Sequence, residues 1–266
     1  GTTGPASVDP ATGAPHGPDF PAITVRDMVA VQADVLAALG ARRVRVAIGG
    51  SLGGMQALEW AAMFPDRVDA VVPIAVSAAH SAWCIGWSEA QRQALFADPA
   101  WRGGRYDPAH PPAAGLAAAR MVAMCTYRTR DSFQARFGRR PQDDSGRFAV
   151  ESYLGYQGRK LVGRFDANAY VALTRAMDRH DVGRGRGGVA AALAGIRVPA
   201  LVVSIDSDVL YPPSEQAELA AGMPRAALAT LHSPDGHDGF LIQVDEVSAM
   251  VADFRRRAEA GAIREG

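Results

Sequence analysis

Val44-Arg-Val-Ala-Ile-Gly-Gly-Ser-Leu-Gly-Gly-Met-Gln-Ala-Leu-Glu-Trp60 is the stretch whose reading decides the fold. Val44, Val46 and Ile48 predict a short buried strand, Gly49-Gly50-Ser51-Leu52-Gly53 a sharp turn, and Leu52 to Met63 a helix. A strand that reverses into a helix within so few residues puts Ser51 in a strained conformation and leaves its neighbours little room for side chains, a demand that Gly49 and Gly53 meet. The helix then aims the partial positive charge of its N-terminus at whatever forms on Ser51. The backbone N–H of Leu52, the residue after the serine, is placed to stabilise an oxyanion. Gly-x-Ser-x-Gly also arises by chance in a glycine-rich chain. A strand before it and an amphipathic helix after it supply the context that a nucleophile elbow requires, and a base and a carboxylate are needed later in the chain.

Upstream, residues 1–22 are rich in Gly, Pro, Asp and Thr without periodicity and predict a surface loop. Thr24 is a candidate N-cap for a helix in which Met28, Val31, Val35, Leu36 and Leu39 recur at helical spacing until Gly40. Downstream, Ala70 to Val76 is a continuous apolar run that predicts a strand of a parallel sheet, with Pro73 pointing to a bulge or an edge. Strand, helix and strand over 44–76 make a βαβ unit, whose default home is a doubly wound sheet. The next strand, Ala200 to Ile205, comes more than a hundred residues later. The segments 87–97, 113–125, 131–137, 147–156, 167–177 and 188–194 read as helices, so the intervening chain is predicted to be a helical cap. After Ile205 we expect a loop with Asp206 and Asp208, a helix from Pro213 to Gly222, a strand from Ala227 to Leu231, a loop carrying His237 and a closing helix over 240–259. Gly183 to Gly188 is of low complexity, and Gly261 to Gly266 are expected to fray. The predicted class is α/β, a mostly parallel sheet flanked by helices with a large helical insertion. Residues 1–80 and 196–266 form its core and 81–195 its cap.

The 266 residues carry no net formal charge, and Lys160 is the sole lysine. Arginines interspersed with acids do not make a nucleic-acid surface. Cys84 and Cys125 lack a CxxC or paired framework, which predicts reduced thiols and no metal site. No apolar run approaches the ~18 to 20 residues that cross a bilayer, and no export signal is visible, so a soluble cytoplasmic protein is expected.

Serine needs a base within hydrogen-bond reach, itself oriented by a carboxylate. Asp208 and His237 follow Ser51 in the order serine, acid, histidine, each on a loop beyond a strand's carboxyl end, which is the order of α/β-hydrolase architecture. Asp206 lies nearer the strand end and is also placed to hold the histidine. Asp208 is preferred because Val209-Leu210-Tyr211-Pro212-Pro213 turns the chain into a helix directly after it. His232 ends a strand and is expected to pack there, whereas His237 sits in the aimable loop Asp-Gly-His-Asp-Gly. His16, His80, His110 and His180 are assigned surface or capping roles.

Gly-Gly-Ser-Leu-Gly-Gly-Met-Gln-Ala-Leu-Glu-Trp (49–60), Gly17-Pro18-Asp19-Phe20-Pro21, Thr24-Val25-Arg26-Asp27, Arg164-Phe165-Asp166-Ala167-Asn168 and Gly236-His237-Asp238 together resemble the homoserine O-acyltransferase family of the α/β-hydrolase fold, from Gly1 to about Arg257. The resemblance implies acyl transfer from acyl-CoA to L-homoserine in methionine biosynthesis, by a ping-pong route through an acyl-serine, in a homodimer made through cap helices. Acetyl-CoA enters as co-substrate, with no bound cofactor. Position by position, Ser51 resembles the nucleophile, Asp208 the acid and His237 the base. Arg120-Met-Val-Ala-Met-Cys-Thr-Tyr127 resembles the cap helix whose Arg and Tyr hold homoserine, and Asp238 the residue that takes its ammonium. Seven residues are close to two helical turns, so Arg120 and Tyr127 share a face, and a guanidinium fork suits an α-carboxylate. An exposed arginine on an amphipathic helix is the alternative for Arg120, and an N-cap of the last helix the alternative for Asp238.

Relatives in the family continue upstream with the first sheet strands and a second oxyanion donor. These are absent before Gly1, so we expect a sequence cut from a longer protein or a fragment of weak or no activity. Val209-Leu210-Tyr211 carries no cation for a succinyl carboxylate, which favours acetyl over succinyl transfer. A capped serine esterase, another acyltransferase on the same elbow and a non-catalytic scaffold are the rival expectations.

Overall fold

The computed structural model describes residues 2–144 and 146–260; the expected fraying of Gly261 to Gly266 lies outside the described residues. In chain order the elements are α1 (Val25–Ala38), β1 (Ala47–Gly50), α2 (Leu52–Met63), β2 (Val71–Ile74), α3 (Ala82–Phe96), α4 (Ala113–Tyr127), α5 (Arg130–Arg136), α6 (Ala149–Val162), α7 (Ala167–Asp178), α8 (Val189–Ala194), β3 (Ala200–Ile205), α9 (Pro213–Gly222), β4 (Ala226–Leu231), α10 (Gly239–Ile242) and α11 (Val244–Glu259). Among the described residues the sheet runs β1-β2-β3-β4 with every neighbouring pair parallel. Every strand therefore presents its carboxyl end at the same edge.

The chain divides into two compact units. One comprises Thr24–Ser81, Tyr127–Thr129 and Arg179–Gly266, the other Gly1–Ile23, Ala82–Thr126 and Arg130–Asp178. These limits differ from the expected core of 1–80 and 196–266 chiefly in three places, the first being Tyr127–Thr129, which group with the sheet. The N-terminal loop groups with the helical insertion, and residues 179–195 group with the sheet.

In the sheet unit, β2 and β3 are buried along their whole length, as strands covered on both faces must be. Val72, Ile74, Leu201, Val203, Ile205 and Leu231 form a core with Phe254 of α11. On the opposite face Ser204 meets Gln216 of α9 (3.2 Å), whose amide also donates to the carbonyl of Val76 (3.1 Å). Pro73 occupies neither a bulge nor an edge: β2 lies between β1 and β3, and its register with β3 is unbroken from Val71↔Ala200 to Ile74↔Val203. The proline withholds one ladder donor without displacing the strand. β1 begins at Ala47; Val44 makes only an isolated bridge with Val68. Ile48 is 50% exposed, not buried as expected, because β1 is the edge of the described sheet.

Helix α1 starts at the predicted cap: the Thr24 hydroxyl accepts from the N–H of Asp27 (3.3 Å), and the Asp27 carboxylate accepts from the N–H of Thr24 (2.7 Å). This reciprocal box satisfies two otherwise orphaned donors. Its buried stripe is Val25, Val29 and Ala33, while Val31, Val35 and Leu39 face outward. Next to the cap, Arg26 donates to Glu59 of α2 (3.0 Å), and Arg186 of the glycine-rich turn donates to the other oxygen (2.8 Å). A fully buried carboxylate with such partners is tolerated where an unpaired one is not. The predicted closing helix is broken at Gln243 into α10 and α11.

In the second unit, Leu95, Leu116, Ala119, Leu161, Tyr170 and Val171 make the core, and buried Arg92 pairs with Asp178 (2.7 Å) and Glu89 (2.8 Å). Three of the motif residues quoted above find their partners within this unit. Asp19 pairs with Arg105 (2.9 Å), Asp166 accepts from the Tyr106 hydroxyl (2.5 Å), and the amide of Asn168 donates to the carbonyl of Gly104 (2.8 Å). Burial and the Asp166 carboxylate push the Tyr106 phenol well above its ordinary range. No helix among the described residues is long and apolar enough to cross a membrane.

Candidate active site

Ser51 sits between the end of β1 and the first residue of α2 with φ 55° and ψ −122°, the strained conformation that the glycine pattern predicted. The crowding is physical. A Cβ on Gly49 would lie 2.4 Å from the carbonyl carbon of Gly53, and one on Gly50 would lie 2.5 Å from the ring of Phe240. Leu52 opens α2, so its N–H is among those that helical geometry leaves without an intrahelical acceptor.

Asp208 follows β3, and His237 lies in the 3-10 turn Gly236–Asp238 after β4, so both leave the same edge of the sheet as Ser51. His237 Nδ1 is 2.7 Å from Asp208 Oδ2, with both side chains almost fully buried. The second oxygen of Asp208 accepts from the N–H groups of Leu210 (2.8 Å) and Tyr211 (3.0 Å). These bonds fix the carboxylate, and a fixed carboxylate fixes the tautomer: Nδ1 carries the proton it donates, and Nε2 is the nitrogen left to exchange one. Three aromatic rings wall the imidazole: Tyr211 at 5.3 Å, Tyr127 at 5.8 Å and Phe240 at 5.8 Å between centroids. Phe240 thus touches both the elbow and the imidazole. Sequence reading missed Phe240 and Tyr211, since an aromatic beside a turn has no pattern of its own; Tyr211 was legible only as part of the run that follows Asp208.

Asp206 does not compete for His237. It pairs with His232 Nδ1 (2.8 Å) and accepts from the N–H of Ser233 (3.0 Å). The Ser233 N–H holds its carboxyl below the ordinary range, against the opposing effect of burial and with help from His232. His232 does not pack at the strand end as expected; its side chain is 82% exposed. His180, assigned a surface or capping role, is buried, and desolvation lowers its pKa to about 4.

Asp238 caps no helix through its side chain. Its carboxylate lies 3.3 Å from Nε of Arg128, whose Nη1 is 2.6 Å from Asp235. Arg120 is half-buried on α4, in the helical unit, and Tyr127 is the last residue of that helix. Cys84 is buried and Cys125 exposed.

A strained serine at a strand-to-helix turn, with a buried carboxylate-imidazole pair on later loops at the same sheet edge, defines the class. Residues 4–243 match the model of the alpha/beta hydrolase fold. A homoserine O-acetyltransferase of Chlorobaculum tepidum is 57% identical over 257 residues, covering 97% of this chain and 72% of the relative. One of Chloroherpeton thalassium is 58% identical, covering 97% and 68%. The chain belongs to the homoserine O-acetyltransferase family of enzymes. Among solved structures, esterase E22 matches with TM-score 0.88 and 28% identity, covering 96% of this chain and 72% of its own.

Proposed function

We propose that this chain transfers an acetyl group from acetyl-CoA to the side-chain hydroxyl of L-homoserine, in methionine biosynthesis, through an acyl-enzyme at Ser51. The observation that carries the reading is the buried Asp208–His237 pair, 2.7 Å apart, at the sheet edge where Ser51 is held at φ 55°. His237 Nε2 takes the proton of Ser51 as Oγ attacks the thioester carbonyl, and the N–H of Leu52 receives the developing oxyanion. The C–S bond breaks and CoA leaves with the proton from His237. The homoserine hydroxyl then gives its proton to His237 and attacks the acyl-serine carbonyl; the bond from that carbonyl to Ser51 Oγ breaks, Oγ takes the proton back from His237, and the acetylated homoserine leaves. Arg120 and Tyr127 hold the amino acid's carboxylate, and Asp238 its ammonium. Charge clamps of this kind favour the bound hydroxyl over water by positioning. The relatives' names and the absence of a cation in Val209-Leu210-Tyr211 favour acetyl over succinyl, and the active form is a homodimer paired through cap helices.

Hydrolysis of small esters is the second reading, favoured by the likeness to esterase E22. Incubation with acetyl-CoA followed by mass spectrometry decides between them. We expect a 42 Da adduct on Ser51, the mass of an added acetyl group by elementary stoichiometry, discharged faster by homoserine than by water; the Ser51→Ala variant takes no adduct. Discharge indifferent to homoserine supports the esterase, and a Ser51→Ala variant of unchanged rate removes both readings. Steady-state rates with acetyl-CoA and succinyl-CoA fix the donor.

A further inference from the structure

Tyr127, Arg128 and Thr129 group with the sheet unit, and each of the three engages the turn that carries His237. The Tyr127 ring lies 5.8 Å from the imidazole. The Thr129 hydroxyl donates to the carbonyl of Pro234 (2.6 Å). Arg128 reaches Asp235 through Nη1 (2.6 Å) and Asp238 through Nε (3.3 Å), with its side chain only 13% exposed. The fit leaves no slack: Gly236 has φ 67°, and a Cβ there would stand 3.1 Å from the carbonyl of Tyr127.

Asp235 and Asp238 flank His237 two residues before and one after, and one guanidinium spans them. A planar fork can hold two carboxylates in fixed directions at once, whereas an ammonium is a point charge that cannot reproduce both geometries. Without it, two partly buried carboxylates repel each other and turn toward water. Asp238 would then lose one of the contacts that orient its carboxylate.

We propose that Arg128 is a positioning residue for acceptor choice. By fixing Asp238 beside the base, it sets how the acyl group on Ser51 divides between an amine-bearing alcohol and water. This inference rests on the acyl-transfer reading above.

The test is made on the full-length protein with acetyl-CoA and homoserine, measuring O-acetylhomoserine and free acetate formed per CoA released. In Arg128→Met the transfer-to-hydrolysis ratio should fall about tenfold or more, the usual scale for losing a buried charge-assisted contact. Arg128→Lys should fall between that variant and the natural enzyme. Asp235→Asn, which loosens the arginine without replacing it, should move the ratio the same way by less. A merely structural arginine would lower the amount of active enzyme and leave the ratio unmoved. A natural ratio in Arg128→Met overturns the inference. Should that variant not fold, natural ratios in both Arg128→Lys and Asp235→Asn overturn it equally. Failure of the natural enzyme to acylate Ser51 is a different result, which removes the acyl-transfer reading itself.

Discussion

Two carboxylate-imidazole pairs stand at the same edge of one sheet, each joining the loop after β3 to the loop after β4. Asp208 and His237 are 2.7 Å apart, and Asp206 and His232 are 2.8 Å apart, in both cases through Nδ1. Geometry alone does not tell them apart. Burial does: the first pair is 0% and 5% exposed, the second 42% and 82%. Inside, with two backbone N–H groups on its second oxygen, a carboxylate has one direction and its histidine one tautomer. Outside, water competes for the same groups, and an exposed pair of this kind contributes little to stability. The comparison teaches that a carboxylate-imidazole pair of fixed direction is made by what surrounds it.

The most direct way to break the comparison is to neutralise each acid in turn. Asp208→Asn should lower kcat/KM roughly a thousand- to ten-thousandfold, because the wrong tautomer of His237 is then held in place. Asp206→Asn should stay within about twofold in the same assay, since its histidine faces solvent. Similar losses in both variants would show that burial is not what separates the pairs.

A third imidazole sharpens the comparison from another side. His180 is as buried as His237, but desolvation holds its pKa near 4, against 6.5 in the unfolded chain, with the Glu59 carboxylate pulling the other way. Between those values the unfolded state binds more protons, so stability rises with pH; the contribution is complete above about pH 6.5 and lost as pH falls toward 4. The loss is on the order of 3 kcal/mol. Urea midpoints at pH 7 and pH 4.5 should differ less in His180→Asn than in the natural protein, and equal differences would refute the assignment. The smallest effect belongs to the exposed pair: His232→Gln should shift stability by less than about 1 kcal/mol at either pH.

The turn and the helix of the elbow were legible in the sequence, whereas its strand begins three residues later than the pattern placed it. Glycines around a serine between a strand and a helix pattern admit one local geometry, and α2 begins and ends where the pattern placed it. The N-cap of α1 at Thr24, the limits of β3 and α9, and the order serine, acid, histidine were equally local. The Arg26–Glu59–Arg186 and Arg128–Asp235–Asp238 groups were not, because nothing in an arginine's neighbours in sequence says which distant carboxylate it will meet.

What the sequence determined by itself was the succession of elements and the candidates for the chemistry, since periodicity, caps and turn residues act over a few positions. Only the tertiary structure decided which histidine is enclosed with which aspartate, that Pro73 lies in a central strand, that Ile48 and His232 face outward and that His180 faces in. Those outcomes depend on desolvation, and desolvation of a side chain is set by residues far away along the chain.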